Sequence, residues 1–287
     1  MTAQDDPRRS GVRVPSAQEL LTIARSAGDA GAAVLAGRDP EQFSANMKSG
    51  DVDWVTDFDV SAERAVRGVI QEARPADSIT GEELAPAIAE VASGYRWSID
   101  PLDGTMNFIR NIAYYCTSVA VAGPEGQWLA GVVAAPALGR VYYASAGEGA
   151  WVEAQQLHGE SRVRRLDGPQ QSREGRLLAT SLTYEPEIQA RLIGELAERM
   201  RGFGDFRRLG SAALELCAVA DGGLDAYLEY GLNEHDFAAG ALIAQEAGAW
   251  VRRPELSSAL QGLPARSETL AAWTAAAVPE LAGTFTP

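Results

Sequence analysis

Histidine and cysteine are scarce in this chain, with two of each among 287 residues. His158 and His235 are too few, and wrongly spaced, for histidine-rich zinc or iron hydrolases and for most Ser-His-Asp enzymes. They also argue against phosphohistidine chemistry. Cys116 and Cys217 both lie in apolar stretches, the pattern of buried free thiols rather than of a disulfide framework. Cys116 lacks the downstream glycine-rich loop and arginine of a cysteine phosphatase. Positive charge is short too: 25 Lys and Arg stand against 39 Asp and Glu, a formal net charge of −14. That balance argues against nucleic-acid partners, because non-specific binding needs a basic surface. It also repels anionic substrates, unless cations within a site reverse the local field. No apolar run approaches the ~18 residues of a membrane span, and residues 1–10 hold no hydrophobic leader. The expectation is a soluble, cytoplasmic protein without a membrane partner.

The chain is 46% hydrophobic and 22% charged, enough for a substantial core in one large domain or two halves. Residues 1–14 read as a tail, and a polar stretch near Pro169 divides an N-terminal half, 15–168, from a C-terminal half, 169–287. Ser16 and Glu19 form a capping box opening a helix to about Ala36. Residues 38–50 read as a loop or weak hairpin, and Val52, Trp54 and Val55 as a short strand before a helix beginning near Asp59. Short strands are expected at 78–80, 117–122, 131–135 and 140–144, the last three antiparallel across Gly- and Pro-containing turns. The second half alternates: strand 177–180, helix 187–200, strand 206–209, helix 211–220, strand 225–230, helix 236–247. This is α/β layering.

The most informative stretch runs from Trp97 through Asp100-Pro101-Leu102-Asp103-Gly104-Thr105 to Phe108. An apolar strand delivers Asp100 to its carboxyl end. Pro101, lacking an N–H, is expected to end regular pairing there. Gly104 permits a tight turn and Thr105 opens a helix, so two carboxylates, the Leu102 carbonyl and unpaired N–H groups share a small volume. Those are the groups that hard cations and phosphates require. Glu82 in Gly-Glu-Glu and Asp236 in His-Asp-Phe-Ala-Ala-Gly sit in similar contexts, with Asp59 a fifth candidate. Gathered without cations, these acids repel one another and their pKa values rise. With no histidine or cysteine beside Glu82, Asp100 or Asp103, an all-oxygen site is expected, favouring Mg²⁺, or Mn²⁺, over zinc. Two such ions suit phosphate ester hydrolysis. A rival motif, Asp51-Val52-Asp53-Trp54-Val55, matches the DxDx[TV] pattern of haloacid-dehalogenase-type phosphatases. The residues before it are mostly polar, whereas that motif should follow a buried apolar strand.

Taken together, residues 53–59, 81–83, 100–108, 208–213 and 236–248 resemble the inositol monophosphatase family, within the magnesium-dependent, lithium-sensitive sugar phosphatases. The resemblance spans about residues 16–275 and implies a layered αβαβα sandwich, usually a homodimer. It implies a first Mg²⁺ held by Glu82, Asp100 and the Leu102 carbonyl, a second held by Asp100, Asp103 and Asp236, and a weaker third near Glu82. It assigns catalysis to Glu82 and to Thr105 paired with Asp59, acting on the attacking water. Gly104 and Thr105 would bind phosphate, with Lys48 approaching from a neighbouring loop. Glu229 and the Ala212 backbone would meet sugar hydroxyls beside Asp103 and Asp236. His235 departs from the family pattern, which most often has Trp there. It reads equally as a pocket-shaping ring or a surface helix cap. Arg207-Arg208 reads as a core or interface pair as readily as a substrate clamp. The implied reaction is hydrolysis of a small polyol or sugar monophosphate, chiefly myo-inositol monophosphate. Histidinol phosphate and fructose 1,6-bisphosphate are alternative substrates, and a non-catalytic regulatory dimer is the alternative of another class.

Overall fold

The computed structural model describes residues 14–38, 45–49, 53–156, 159–170, 174–182, 186–254 and 273–281, of which 45–49, 53–54, 186–188 and 273–274 by backbone alone. Helix α1 (Ala17–Ala36) opens on its capping box: the Glu19 N–H donates to Ser16 Oγ at 3.2 Å, and the Ser16 N–H donates to Glu19 Oε2 at 2.9 Å. Strands β1 (Ala45–Ser49) and β2 (Asp53–Thr56) form an antiparallel hairpin where the sequence left the choice of a loop open. Lys48 lies on β1, and its side chain falls outside the described residues, as do Asp51 and His158. Helix α2 (Asp57–Ala73) starts two residues ahead of Asp59, because Thr56 is the cap and Asp59 closes its capping box.

Seven strands form the larger sheet in sequence order: β3 (Ser78–Gly81), β4 (Arg96–Asp103), β5 (Cys116–Ala122), β6 (Trp128–Ala135), β7 (Arg140–Ser145), β8 (Gly149–Gln155) and β9 (Ser161–Arg165). β3 runs parallel to β4, and the remaining neighbours are antiparallel. Helix α3 (Thr105–Ile109) follows β4 directly. The smaller sheet has the order β11 (Asp205–Arg207), β10 (Leu177–Thr180), β12 (Ala226–Tyr230), β14 (Trp273–Ala277), β13 (Trp250–Arg252), parallel across its first three strands and antiparallel thereafter. Helices α4 (Pro186–Arg199), α5 (Ala212–Ala220) and α6 (Glu234–Glu246) complete the fold. Among the described residues no helix is long and apolar enough to cross a membrane.

Period-two alternation of the strands assigns the layers. On β5, Val119 and Val121 pack with Leu20, Ala24, Val66 and Ile70 of α1 and α2. Their neighbours Cys116, Ala120 and Ala122 face the opposite way, onto Leu216, Ala239 and Ile243 of α5 and α6. On β12, Tyr227 faces this central helical layer, whereas Ala226 and Leu228 turn to Met200 and Phe203 beyond α4. The order is helix, sheet, helix, sheet, helix, the αβαβα sandwich. The central layer is buried on both sides, and Ala238, Ala239, Gly240 and Ala241 let α6 lie between two sheets without displacing either.

Regular pairing does stop at Pro101, yet β4 itself runs on to Asp103. Opposite β5, Asp100 pairs with Ser118 and Asp103 with Cys116, so three steps along β4 match two along β5. This is a bulge: the missing N–H of Pro101 costs no ladder bond there, and its carbonyl accepts from Thr117 Oγ1 at 2.9 Å. The extra residue aims Asp100 and Asp103 differently.

Candidate active site

Four elements meet at the carboxyl end of β4. β3 leads to Glu82, β4 carries Asp100 to Asp103, α5 presents its N-terminus, and α6 carries His235 and Asp236 in its first turn. A buried ion pair anchors the Glu82 turn. Glu63 of α2 accepts from the Glu83 N–H at 2.7 Å, while Arg67 pairs with Glu63 and donates to the Ala85 and Leu84 carbonyls at 3.1 and 3.0 Å. Glycine is required at Gly81, where a Cβ would overlap the Glu63 carboxylate. A second buried pair holds α6 against β4: Arg96 grips Glu234 bidentately, with Nη2 to Oε2 at 2.9 Å. Neither pair was singled out from the sequence. The i,i+4 spacing of Glu63 and Arg67 on the buried side of α2 was the available signal. Arg96 and Glu234 are 138 residues apart and had none.

Glu82, Asp100 and His235 each offer a ligand atom within 4.8 Å of the others. Asp100 is buried, and its Oδ1 accepts from the Leu102 N–H at 3.1 Å; Glu82 is exposed. The fold brings α6 back over β4 and so sets an imidazole beside these two acids, where the sequence placed none near them. The surface-cap reading of His235 is corrected: its relative exposure is 7%, and Nε2 is buried without a hydrogen-bond partner. A carboxyl pair with an unsatisfied imidazole nitrogen is a donor set that fits a divalent cation.

Asp103 points elsewhere. Its Oδ2 accepts from Ser211 Oγ and the Ala213 N–H, both at 2.7 Å, and its Oδ1 from the Ala212 N–H at 3.3 Å. Thus Asp103 sits on the N-terminus of α5, where the helix dipole favours negative charge. Cys116 Sγ lies 4.0 Å from the same carboxylate, so a cysteine also stands where none was expected. Burial nevertheless pushes Asp103 up to about 7, with the Asp236 charge adding to the rise and the three hydrogen bonds opposing it. Glu229 is likewise raised to about 7, first by burial and then by Asp236 and Asp103, against the hydrogen bond from Tyr227 OH at 2.6 Å. Glu215 lies well above its usual range, through burial and then Glu229, although the Leu209 N–H donates to it at 2.6 Å. These acids raise one another's pKa values, and cations relieve that conflict.

Asp236 Oδ2 accepts from the Asn233 N–H at 2.5 Å, and its Oδ1 lies 3.5 Å from His235 Nε2. Asp59 is fully buried. Its Oδ2 accepts from the Thr56 N–H at 2.7 Å, and its Oδ1 lies 3.3 Å from Thr105 Oγ1. Thr105 Oγ1 is also 3.0 Å from the Leu102 carbonyl. Gly104 has φ +97°, and a Cβ there would lie 2.9 Å from the Tyr114 carbonyl, so the turn into α3 needs glycine. Asn107 Nδ2 donates to the Tyr114 and Leu209 carbonyls, both at 2.8 Å, tying α3 to the approach to α5. Ala212 contributes its N–H to Asp103 rather than facing open space. Arg207 is not a core residue, since it pairs with Asp205 at the surface.

Comparison with known proteins agrees with this layout. The model of the inositol monophosphatase family matches residues 16–282. The inositol-1-monophosphatase of Mycobacterium leprae is 37% identical over 258 residues, 85% of this chain and 87% of that protein. The Nus factor SuhB of Salmonella typhimurium is 36% identical over 235 residues, 80% of this chain and 83% of that one. Among solved structures, the extragenic suppressor protein suhB of Bartonella henselae superposes with a TM-score of 0.76 at 28% identity, covering 91% of this chain and 95% of that one. Mycobacterium tuberculosis SuhB gives 0.72 at 31% identity, covering 94% and 95%. With the match spanning both sheets and every acid described above, this chain belongs to the inositol monophosphatase family.

Proposed function

We propose that the chain is a divalent-cation-dependent phosphomonoesterase acting on a small polyol or sugar monophosphate, with myo-inositol monophosphate as its preferred substrate. The observation that carries this reading is the convergence of Glu82 and Asp100 on one volume, with Thr105 on the adjoining turn and Asp59 of α2 beside it. Glu82, Asp100 and the Leu102 carbonyl are the residues for one cation, and Asp100, Asp103 and Asp236 those for another, Mg²⁺ in the first instance. Ions in such sites neutralise phosphate charge and make a water more acidic.

The protein's own groups do the rest. Asp59 is locked by Thr56, so its remaining oxygen accepts the Thr105 proton and turns a Thr105 lone pair outward. As the water attacks phosphorus and the ester P–O bond breaks, that lone pair takes the water's proton, Thr105 passes its own to Asp59, and the departing alkoxide takes a proton from solvent. The first N–H groups of α3, from Gly104 and Thr105, face the phosphate oxygens. Glu229, held by Tyr227, accepts from substrate hydroxyls and discriminates a polyol from a plain alkyl ester. The reading includes pairing of two chains as a homodimer, which light scattering on the eluting protein measures.

The test is phosphate release from inositol 1-phosphate, histidinol phosphate and fructose 1,6-bisphosphate, with Mg²⁺ or with chelator. Wild type is expected to turn over inositol 1-phosphate fastest, and Asp100→Asn to lose about 10³-fold, the scale of removing one electrostatic stabiliser of the transition state. Equal release by wild type and Asp100→Asn rejects the enzyme reading. It favours a non-catalytic role, to which the 36% identity with a protein named Nus factor SuhB lends support. Preference for histidinol phosphate overturns the substrate alone.

A further inference from the structure

We infer that His235 is a direct ligand of the cation held by Glu82 and Asp100, and that its nitrogen shifts this site from magnesium toward borderline transition ions such as Mn²⁺ and Co²⁺. The inference rests on the phosphatase reading for the existence of a cation site and adds to it the identity of a donor.

Three independent features support it. The first is geometry: the ligand atoms of Glu82, Asp100 and His235 lie within 4.8 Å of one another, close to the spacing of atoms that share one ion. The second is an unsatisfied donor set. His235 is more than nine-tenths buried, and its Nε2 has no hydrogen-bond partner. The Asp236 carboxylate at 3.5 Å does not satisfy it. A buried imidazole nitrogen left without a partner costs free energy unless something binds it. The third is rigidity. His235 stands between Glu234, gripped by Arg96 of β4, and Asp236, whose carboxylate accepts from the Asn233 N–H. The strand that carries Asp100 therefore also holds the helix that carries His235. The imidazole is pre-positioned for a ligand, and no rearrangement of the helix is needed.

The chemistry of the donors sets the preference. Mg²⁺ takes oxygen ligands and gains little from imidazole, whereas Mn²⁺, Co²⁺ and Zn²⁺ accept nitrogen increasingly well. An indole nitrogen carries a proton and offers no lone pair to a cation, so a tryptophan in place of His235 would keep an aromatic ring and remove the ligand.

The test is spectroscopic and uses the intact protein. Electron spin-echo modulation of the Mn²⁺-loaded wild type is expected to show coupling to an imidazole ¹⁴N. The coupling disappears in His235→Phe and survives in His158→Gln, the only other histidine change the chain allows. Calorimetric titration is expected to give a Co²⁺ affinity at least about 10-fold lower in His235→Phe and in His235→Trp, with Mg²⁺ affinity nearly unchanged. Ions that bind wild type without ¹⁴N coupling, or an unaltered Co²⁺ to Mg²⁺ ratio in both variants, overturn this inference and leave the phosphatase reading standing. Failure of wild type to bind any of these ions overturns both.

Discussion

The two ends of the Asp100–Asp103 segment are held by opposite means. At one end Asp103 is satisfied from within: three donors at the start of α5 converge on its carboxylate and weld the β4 turn to the central helices. At the other end Asp100, Glu82 and His235 are positioned by ion pairs one layer further out, Glu63–Arg67 and Arg96–Glu234. The first arrangement stiffens a turn by occupying three of the acid's lone-pair sites. The second spends its hydrogen bonds on neighbours and leaves a ring nitrogen unsatisfied at the site. Acids three residues apart in sequence thus do different work, and the bulge at Pro101 separates them.

The contrast can be broken by pH, with the largest expected effect. Asp103 and Glu229 are raised to about 7 from 3.8 and 4.5, so the folded chain binds protons that the unfolded chain releases. Their contribution to stability is complete below about pH 4 and is lost as pH rises through 7. Without divalent ions, unfolding free energy should drop by on the order of 4 kcal/mol between pH 5 and 8. Added Mn²⁺ should flatten the slope. Denaturant melts across that range, with and without chelator, measure it, and a metal-free chain equally stable at both ends contradicts the assigned crowding.

Next comes Arg96→Met, which strands the buried Glu234 carboxylate and should cost about 3–5 kcal/mol. It should weaken cation binding about 10- to 100-fold by releasing α6, while Asp103 keeps its contacts. Equal loss on both sides of the bulge would erase the contrast. Gly81→Ala forces a methyl into Glu63 and should cost roughly 1–3 kcal/mol, with Glu82 displaced and cation affinity reduced. The smallest effect belongs to Ser211→Ala. It removes the cap of α5 and one donor to Asp103, about 1 kcal/mol in a thermal melt, and should leave the ¹⁴N coupling of His235 unaltered.

Much of this was legible in local pattern. The capping box at Ser16, the apolar run into Asp100 and the Ala-rich α6 are encoded within a few residues each, because caps and periodicity depend on near neighbours. Strand β9 was not legible, since all five of its residues are exposed and carry no alternation of burial. The β13–β14 pair was missed as well, being short and joined across a long stretch of sequence. The acids were named from their contexts, and the described geometry brings Glu82 to Asp100 and Asp236 near Asp103.

What the order of amino acids settled was most of the inventory: the majority of helices and strands in their sequence, a surplus of acids beside small residues, and two histidines too few for most alternatives. Which of those groups would touch was decided by packing. Asp103 met α5, and His235 came to Glu82 across more than 150 residues, because two sheets closed on one shared helical layer. Local propensity acts over a turn or two. The neighbours of a buried side chain are chosen by the single arrangement in which the apolar faces of every layer are covered at once.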